Sequence, residues 1–117
     1  MSSASRKWKH RARHMLQATE RILGYCAGVK EAQFRSDQQL IDAVVWNLTV
    51  LGEAAKKVPA RIEKQFPELP WAQMCGIRNR VVHGYDEIDV TVIWNVVQIE
   101  LPPLAPLIER LISDGED

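Results

Sequence analysis

SDQQLIDAVVWNLTVLGEAAKKVP, residues 36–59, is the stretch that decides the fold. From Ile41 the residues Val44, Leu48, Leu51, Ala55 and Val58 recur at steps of three or four, and with Leu40 they form one broad apolar stripe on a helix. Ser36 or Asp37 can cap its start, because a short side-chain oxygen reaches the free N–H groups of a first turn. Pro59 marks its end, since proline has no donor with which to continue the ladder. Gly52 within the stripe costs roughly 1 kcal/mol relative to alanine. It reads either as a point of close approach by another helix or as a tolerated accident.

The same period extends in both directions. Trp8, Met15, Leu16, Ile22 and Leu23 predict a first helix over residues 7–28, stopped by Gly28. ARIEKQF, residues 60–66, reads as a short helical turn. Beyond Pro67 and Pro70, the residues Trp71, Met74, Cys75, Ile77, Val81 and Val82 predict a helix that starts at Pro70 and frays near Gly84. Asp89 suits the N-cap of a last helix, with Val92, Ile93, Val96, Val97 and Ile99 leading to Leu101. Pro102, Pro103 and Pro106 interrupt it before Leu107, Leu111 and Ile112 resume the pattern. No repeat and no strand pair is expected. The architecture that follows is an all-α bundle of four to five helices in a single domain, residues 1–117. Its basic start (residues 1–7) and acidic end (residues 113–117) are expected to be flexible.

Composition narrows the class. A chain of 117 residues with 46% apolar and 26% charged residues suits one modest soluble core. No apolar run approaches the roughly 20 residues that cross a bilayer, and the start has no apolar leader segment. Cys26 and Cys75 are far apart and read as reduced core thiols, which fits a cytoplasmic protein. With no CxxC or HExxH spacing, neither a metal nor a cofactor is expected. His10 and His14 read as surface residues. The net charge is zero, yet the first thirty residues are strongly basic and those after Tyr85 strongly acidic. A basic end can attract phosphate locally, although a solvated helix turn is the plainer reading.

The chemistry sits in GIRNRVVHGYDEID, residues 76–89, where Arg78, Asn79, Arg80, His83 and Tyr85 crowd together. On a continuous helix Asn79 and His83 would project about 40° apart and Arg78 and His83 about 140° apart. Tyr85, beyond Gly84, could fold back over the same surface. An imidazole both takes and gives protons near neutral pH, and a guanidinium fork matches phosphate oxygens. RNA carries its own nucleophile, the 2′-OH, so no metal is required. One histidine and one arginine are few for that task; a symmetric second copy would double both. Spacing alone still favours a helix-end cap and plain surface charges.

RNRVVHGY, residues 78–85, resembles the Arg-Asn-x-x-x-His-x-Tyr motif of the HepT-like branch of the HEPN superfamily. NLTVLGEAAKKVP (47–59) is similar to that branch's Gly-Glu-Ala helix, and FPELPWAQMCGIRN (66–79) to its Pro-x-x-Pro-Trp lead-in. IWNVVQIELPPL (93–104) is similar to its final helix with a Leu-Pro break. The likeness runs from residue 34 onward, and the first helix matches only in character. It implies an all-helical homodimeric toxin of a type II toxin–antitoxin pair that cuts RNA without metal. It implies that Arg78 and His83 are catalytic, that Asn79 shapes the site, and that Tyr85 accepts AMP from a cognate minimal nucleotidyltransferase antitoxin. Arg80 is the best-placed further phosphate contact. Two alternatives are a catalytically silent dimer that binds a nucleotidyltransferase and a nucleic-acid-binding regulator using the basic first helix. Glu53 could line the cleft or cap a helix contact, and a packing role is the preferred reading. Trp46, Trp71 and Trp94 read as core or dimer-interface anchors.

Overall fold

Steps of three and four build the first helix, α1 (Trp8–Cys26), which buries Trp8, Ala12, Met15, Thr19, Ile22 and Cys26 on one side. It ends just before Gly28, whose φ of +74° lies in the left-handed region that glycine enters without strain. This computed structural model describes residues 7–116, so nearly all of the expected flexible start, and Asp117, lie outside the described residues. A short helix that the pattern did not announce, α2 (Glu31–Ser36), buries Phe34. α3 (Gln38–Ala55) follows, and Asp37 rather than Ser36 caps it, accepting from the Leu40 N–H at 3.0 Å. Ile41, Val44, Leu48, Leu51 and Ala55 form its buried face as expected, with Leu40 at the margin and Val58 buried just beyond the helix.

α1 and α3 pack along each other, and α8 (Leu104–Asp114) packs on α1 through Leu104, Ile108 and Leu111. Gly52 is the place where α3 meets the next layer. A Cβ there would lie 3.0 Å from the Met74 carbonyl oxygen and 3.5 Å from that of Cys75. The glycine is therefore a point of close approach, not an accident. After α4 (Ala60–Gln65), α5 (Trp71–Cys75) and α6 (Ile77–Val81) are two short helices meeting at Gly76, where one continuous helix was expected. Trp71 is buried, and its indole N–H donates to the Phe66 carbonyl at 3.0 Å.

The expected fraying near Gly84 is instead an abrupt change of structure. The helix stops at Val81, and β1 (Val82–Gly84) pairs antiparallel with β2 (Glu87–Ile88), a strand pair the sequence had not suggested. Val81 and Val82 are β-branched and tolerate extended backbone well. The Asp89 N–H closes the hairpin base on the Val81 carbonyl at 2.8 Å. Val82 faces Ile88 and Gly84 faces Glu87, which leaves His83 as an extra residue, a bulge, on β1.

Asp89 caps α7 (Val90–Asn95) as expected, accepting from the Val92 N–H at 3.1 Å. One π-helical turn, Val96–Glu100, continues it before the two prolines. The inserted residue of such a turn shifts the faces of the helix. Val96, Val97 and Leu101 stay buried, whereas Ile99, expected among the apolar contacts, is 70% exposed. Pro106 falls in the first turn of α8, where its missing N–H costs little. α8 continues through Asp114, past the point where a flexible tail was expected to begin. Trp8 Nε1 donates to the Glu116 carbonyl at 2.8 Å. Any Cβ on Gly115 would collide with the Trp8 ring. Among the described residues, no single helix is long and apolar enough to cross a membrane.

Replacing Gly52 by valine should cost about 2 kcal/mol of stability, because the side chain crowds the backbone oxygen of Met74 and the neighbouring Ile77 side chain. Urea denaturation measures this, and an unchanged midpoint would show that α3 and α5 do not pack this closely.

Candidate active site

α6 projects Arg78 and Asn79 into a cleft of about 150 Å³ that Thr49, Gly52, Glu53, Lys56 and Cys75 complete. The close approach at Gly52 creates this cleft, since it brings the start of α6 against the flank of α3. Arg78 Nη1 donates to Asn79 Oδ1 at 3.5 Å, the long limit of a hydrogen bond. Of the two alternatives for Glu53 the structure shows the cleft wall, with its carboxylate 3.5 Å from Lys56 Nζ.

His83 lies elsewhere. It is exposed on the β-bulge and lines a wider depression of about 450 Å³ with Arg35, Glu87, Ile88, Asp89, Val90 and Thr91. The helical angles that related Arg78, Asn79 and His83 do not apply, because α6 ends at Val81 and the next residues are extended. Arg78 and His83 line different cavities within one chain. Bulges commonly re-aim a side chain beside a site, and this one singles out the histidine. Tyr85 stands at the hairpin turn, 98% exposed, and does not fold back over the cleft.

Arg80 has a partner that the sequence did not reveal. Its Nη1 and Nη2 donate to Glu100 Oε1 and Oε2, each at 2.8 Å, a bidentate pair between α6 and the π-helical turn. Those hydrogen bonds hold the Glu100 carboxyl below its ordinary pKa and raise that of Arg80. A phosphate at Arg80 would have to displace a carboxylate already matched to both terminal nitrogens. Burial pushes the thiols of Cys26 and Cys75 up, which keeps both protonated and poorly nucleophilic at neutral pH. Among the described residues no three His, Cys, Asp or Glu side chains gather as metal ligands.

Two residues near the site escaped the sequence reading. Arg35 shares the depression of His83, and it sits on a helix of six residues too short to show a period. Glu100 required the π-helical turn to face Arg80. Of the tryptophans, Trp71 is buried, Trp94 packs on Phe34 with ring centroids 5.3 Å apart, and Trp46 is 65% exposed. Trp46 precedes Thr49 and Glu53 by one and two helical turns and so shares the face of α3 that bears the cleft.

Comparison with known proteins supplies the family. The family model for ribonuclease HepT-like proteins matches residues 15–111, and the chain belongs to that HepT-like family. A Thermococcus cleftensis protein named "Probable ribonuclease HepT" is 32% identical over 95 residues, 81% of this chain and 86% of the relative. A Methanocaldococcus jannaschii protein named as a "Putative RNase" is 28% identical over 102 residues, 87% of this chain and 84% of the relative. No solved structure matches the chain.

The ion pair on π-helical Glu100 generates a pH prediction. A carboxylate whose folded pKa is depressed adds stability above its unfolded pKa, about 4.3, and loses it as pH falls through the folded value. Glu100→Gln should therefore destabilise the protein at pH 7 and make progressively less difference below about pH 4. Denaturant midpoints of both proteins at pH 7 and pH 3 test this; an equal gap at both would refute it.

Proposed function

We propose that this chain is a metal-independent endoribonuclease, the toxin of a type II toxin–antitoxin pair, active in the cytoplasm as a homodimer. The observation that carries this reading is the placement of the motif side chains. His83 stands exposed on a bulge and Arg78 in a cleft, apart in one chain and free to meet across a two-fold axis. A symmetric partner setting Arg78 of one copy against His83 of the other completes a site that neither copy holds alone.

In that groove His83 takes the proton of a ribose 2′-OH, and the freed oxygen attacks the adjacent phosphorus. The bond to the 5′-oxygen breaks and that oxygen picks up a proton from solvent, leaving a 2′,3′-cyclic phosphate and a 5′-hydroxyl. Arg78 stabilises the charge that builds on the non-bridging oxygens, and Asn79 orients the phosphate. Tyr85, with its side chain in solvent, is the acceptor for AMP from a minimal nucleotidyltransferase antitoxin. The added phosphate lies two residues from His83 and repels the RNA backbone. A second reading, a catalytically silent dimer that binds a nucleotidyltransferase, draws on the exposure of Tyr85, which serves a modifying partner whether or not His83 is catalytic.

His83→Ala should lower RNA cleavage in EDTA at least ~100-fold while the helical circular-dichroism signal stays unchanged. Cleavage that persists in this variant would end the catalytic assignment, and inactivity of the unaltered protein would favour the silent reading. Mass spectrometry after incubation with the partner nucleotidyltransferase and ATP should find AMP on the unaltered chain and none on Tyr85→Phe. Adduct on the phenylalanine variant would place the modification elsewhere.

A further inference from the structure

The depression beside His83 contains a cation that lies far outside the motif. Arg35, on α2, lines it together with Glu87 and Asp89. Two bonds set the position of its guanidinium: Nε donates to Glu31 Oε2 at 3.0 Å, and Nη2 donates to Thr91 Oγ1 at 2.7 Å. Thr91 belongs to the first turn of α7, just after the hairpin that carries His83. The second bond thus ties α2 to the segment that closes the hairpin. Nη1 takes part in neither bond, so that nitrogen remains for a ligand.

Charge explains what this arginine would do there. Glu87 and Asp89 share the same wall, so without Arg35 the depression would offer His83 only carboxylates as charged neighbours and would repel a polyanion. Asp89 is occupied as the cap of α7. The pairing of Arg35 with Glu31 is an i,i+4 contact with side chains 43% and 52% exposed, weak enough in water for a phosphate to compete. A guanidinium anchored on one side and open on the other suits a phosphate oxygen.

We propose that Arg35 and His83 of the same chain form a phosphate subsite for the RNA backbone, with Arg35 holding the phosphodiester next to the one that is cut. The proposal rests on the RNA-cleaving reading and adds to it a residue from α2.

Binding separates the two. A single-stranded oligoribonucleotide with methylated 2′-hydroxyls can be bound by the full-length protein and not cut, and its affinity is measured across salt concentrations. Arg35→Gln should weaken binding about tenfold and reduce the slope of log K against log salt by about one, as expected for loss of one phosphate contact. Arg35→Lys should keep the slope, and Thr91→Val, which removes the tether and no charge, should keep it as well. Glu87→Gln should tighten binding. Unchanged affinity and slope in Arg35→Gln would overturn the subsite. A loss of affinity in Arg35→Gln that leaves the slope unchanged would overturn it too, by showing a structural role. If the unaltered protein fails to bind the oligonucleotide, the RNA reading itself falls.

Discussion

The arrangement around the candidate site depends on one backbone contact, where α3 meets the α5–α6 junction at Gly52. The Met74 carbonyl comes so close that a side chain at this position would crowd it and force a local shift. Because α3 and the junction stay together, Met74 and Ile77 are buried, and the next two residues, Arg78 and Asn79, emerge beside Thr49 and Glu53. The helical cost of a glycine in mid-helix, roughly 1 kcal/mol, is offset by burial on both sides of the contact. A position that looks like a flaw in α3 is what locates the cleft.

Polar ties fix the segments that follow. Arg80 and Glu100 lock α6 to the π-helical turn, Asp89 closes the hairpin base and caps α7, and Arg35 bridges α2 to Thr91. Each is partly exposed and individually modest in energy. Together they surround a hairpin of three and two residues that could not stand alone. The hairpin's solvent side carries His83 and Tyr85, so the scaffold restrains the backbone there and leaves both side chains accessible.

The long elements were legible because burial imposes a period on sequence. The stripe from Ile41 to Ala55 repeats along most of α3, and the caps at Asp37 and Asp89 and the stop at Gly28 each rest on an interaction within a few residues. What could not be read depends on distant partners. The break at Gly76 and the hairpin arise from tertiary packing and from the Asp89–Val81 bond, and three strand residues are too few to show alternation. A π-helical turn leaves no compositional mark, so the exposure of Ile99 and the engagement of Arg80 with Glu100 stayed hidden. The motif residues were found by their order in the chain. Their separation into two cavities followed from the end of α6 at Val81, which helical geometry could not anticipate.

Complementation between two inactive proteins tests most directly whether the site is shared between copies. Arg78→Ala and His83→Ala chains, each inactive alone, are unfolded together and refolded so that mixed dimers form. If Arg78 of one copy works with His83 of the other, each mixed dimer regains one intact site, and cleavage should return to about a quarter of the unaltered level. Mixed dimers that form and remain as inactive as either parent would contradict a site built across the two-fold axis.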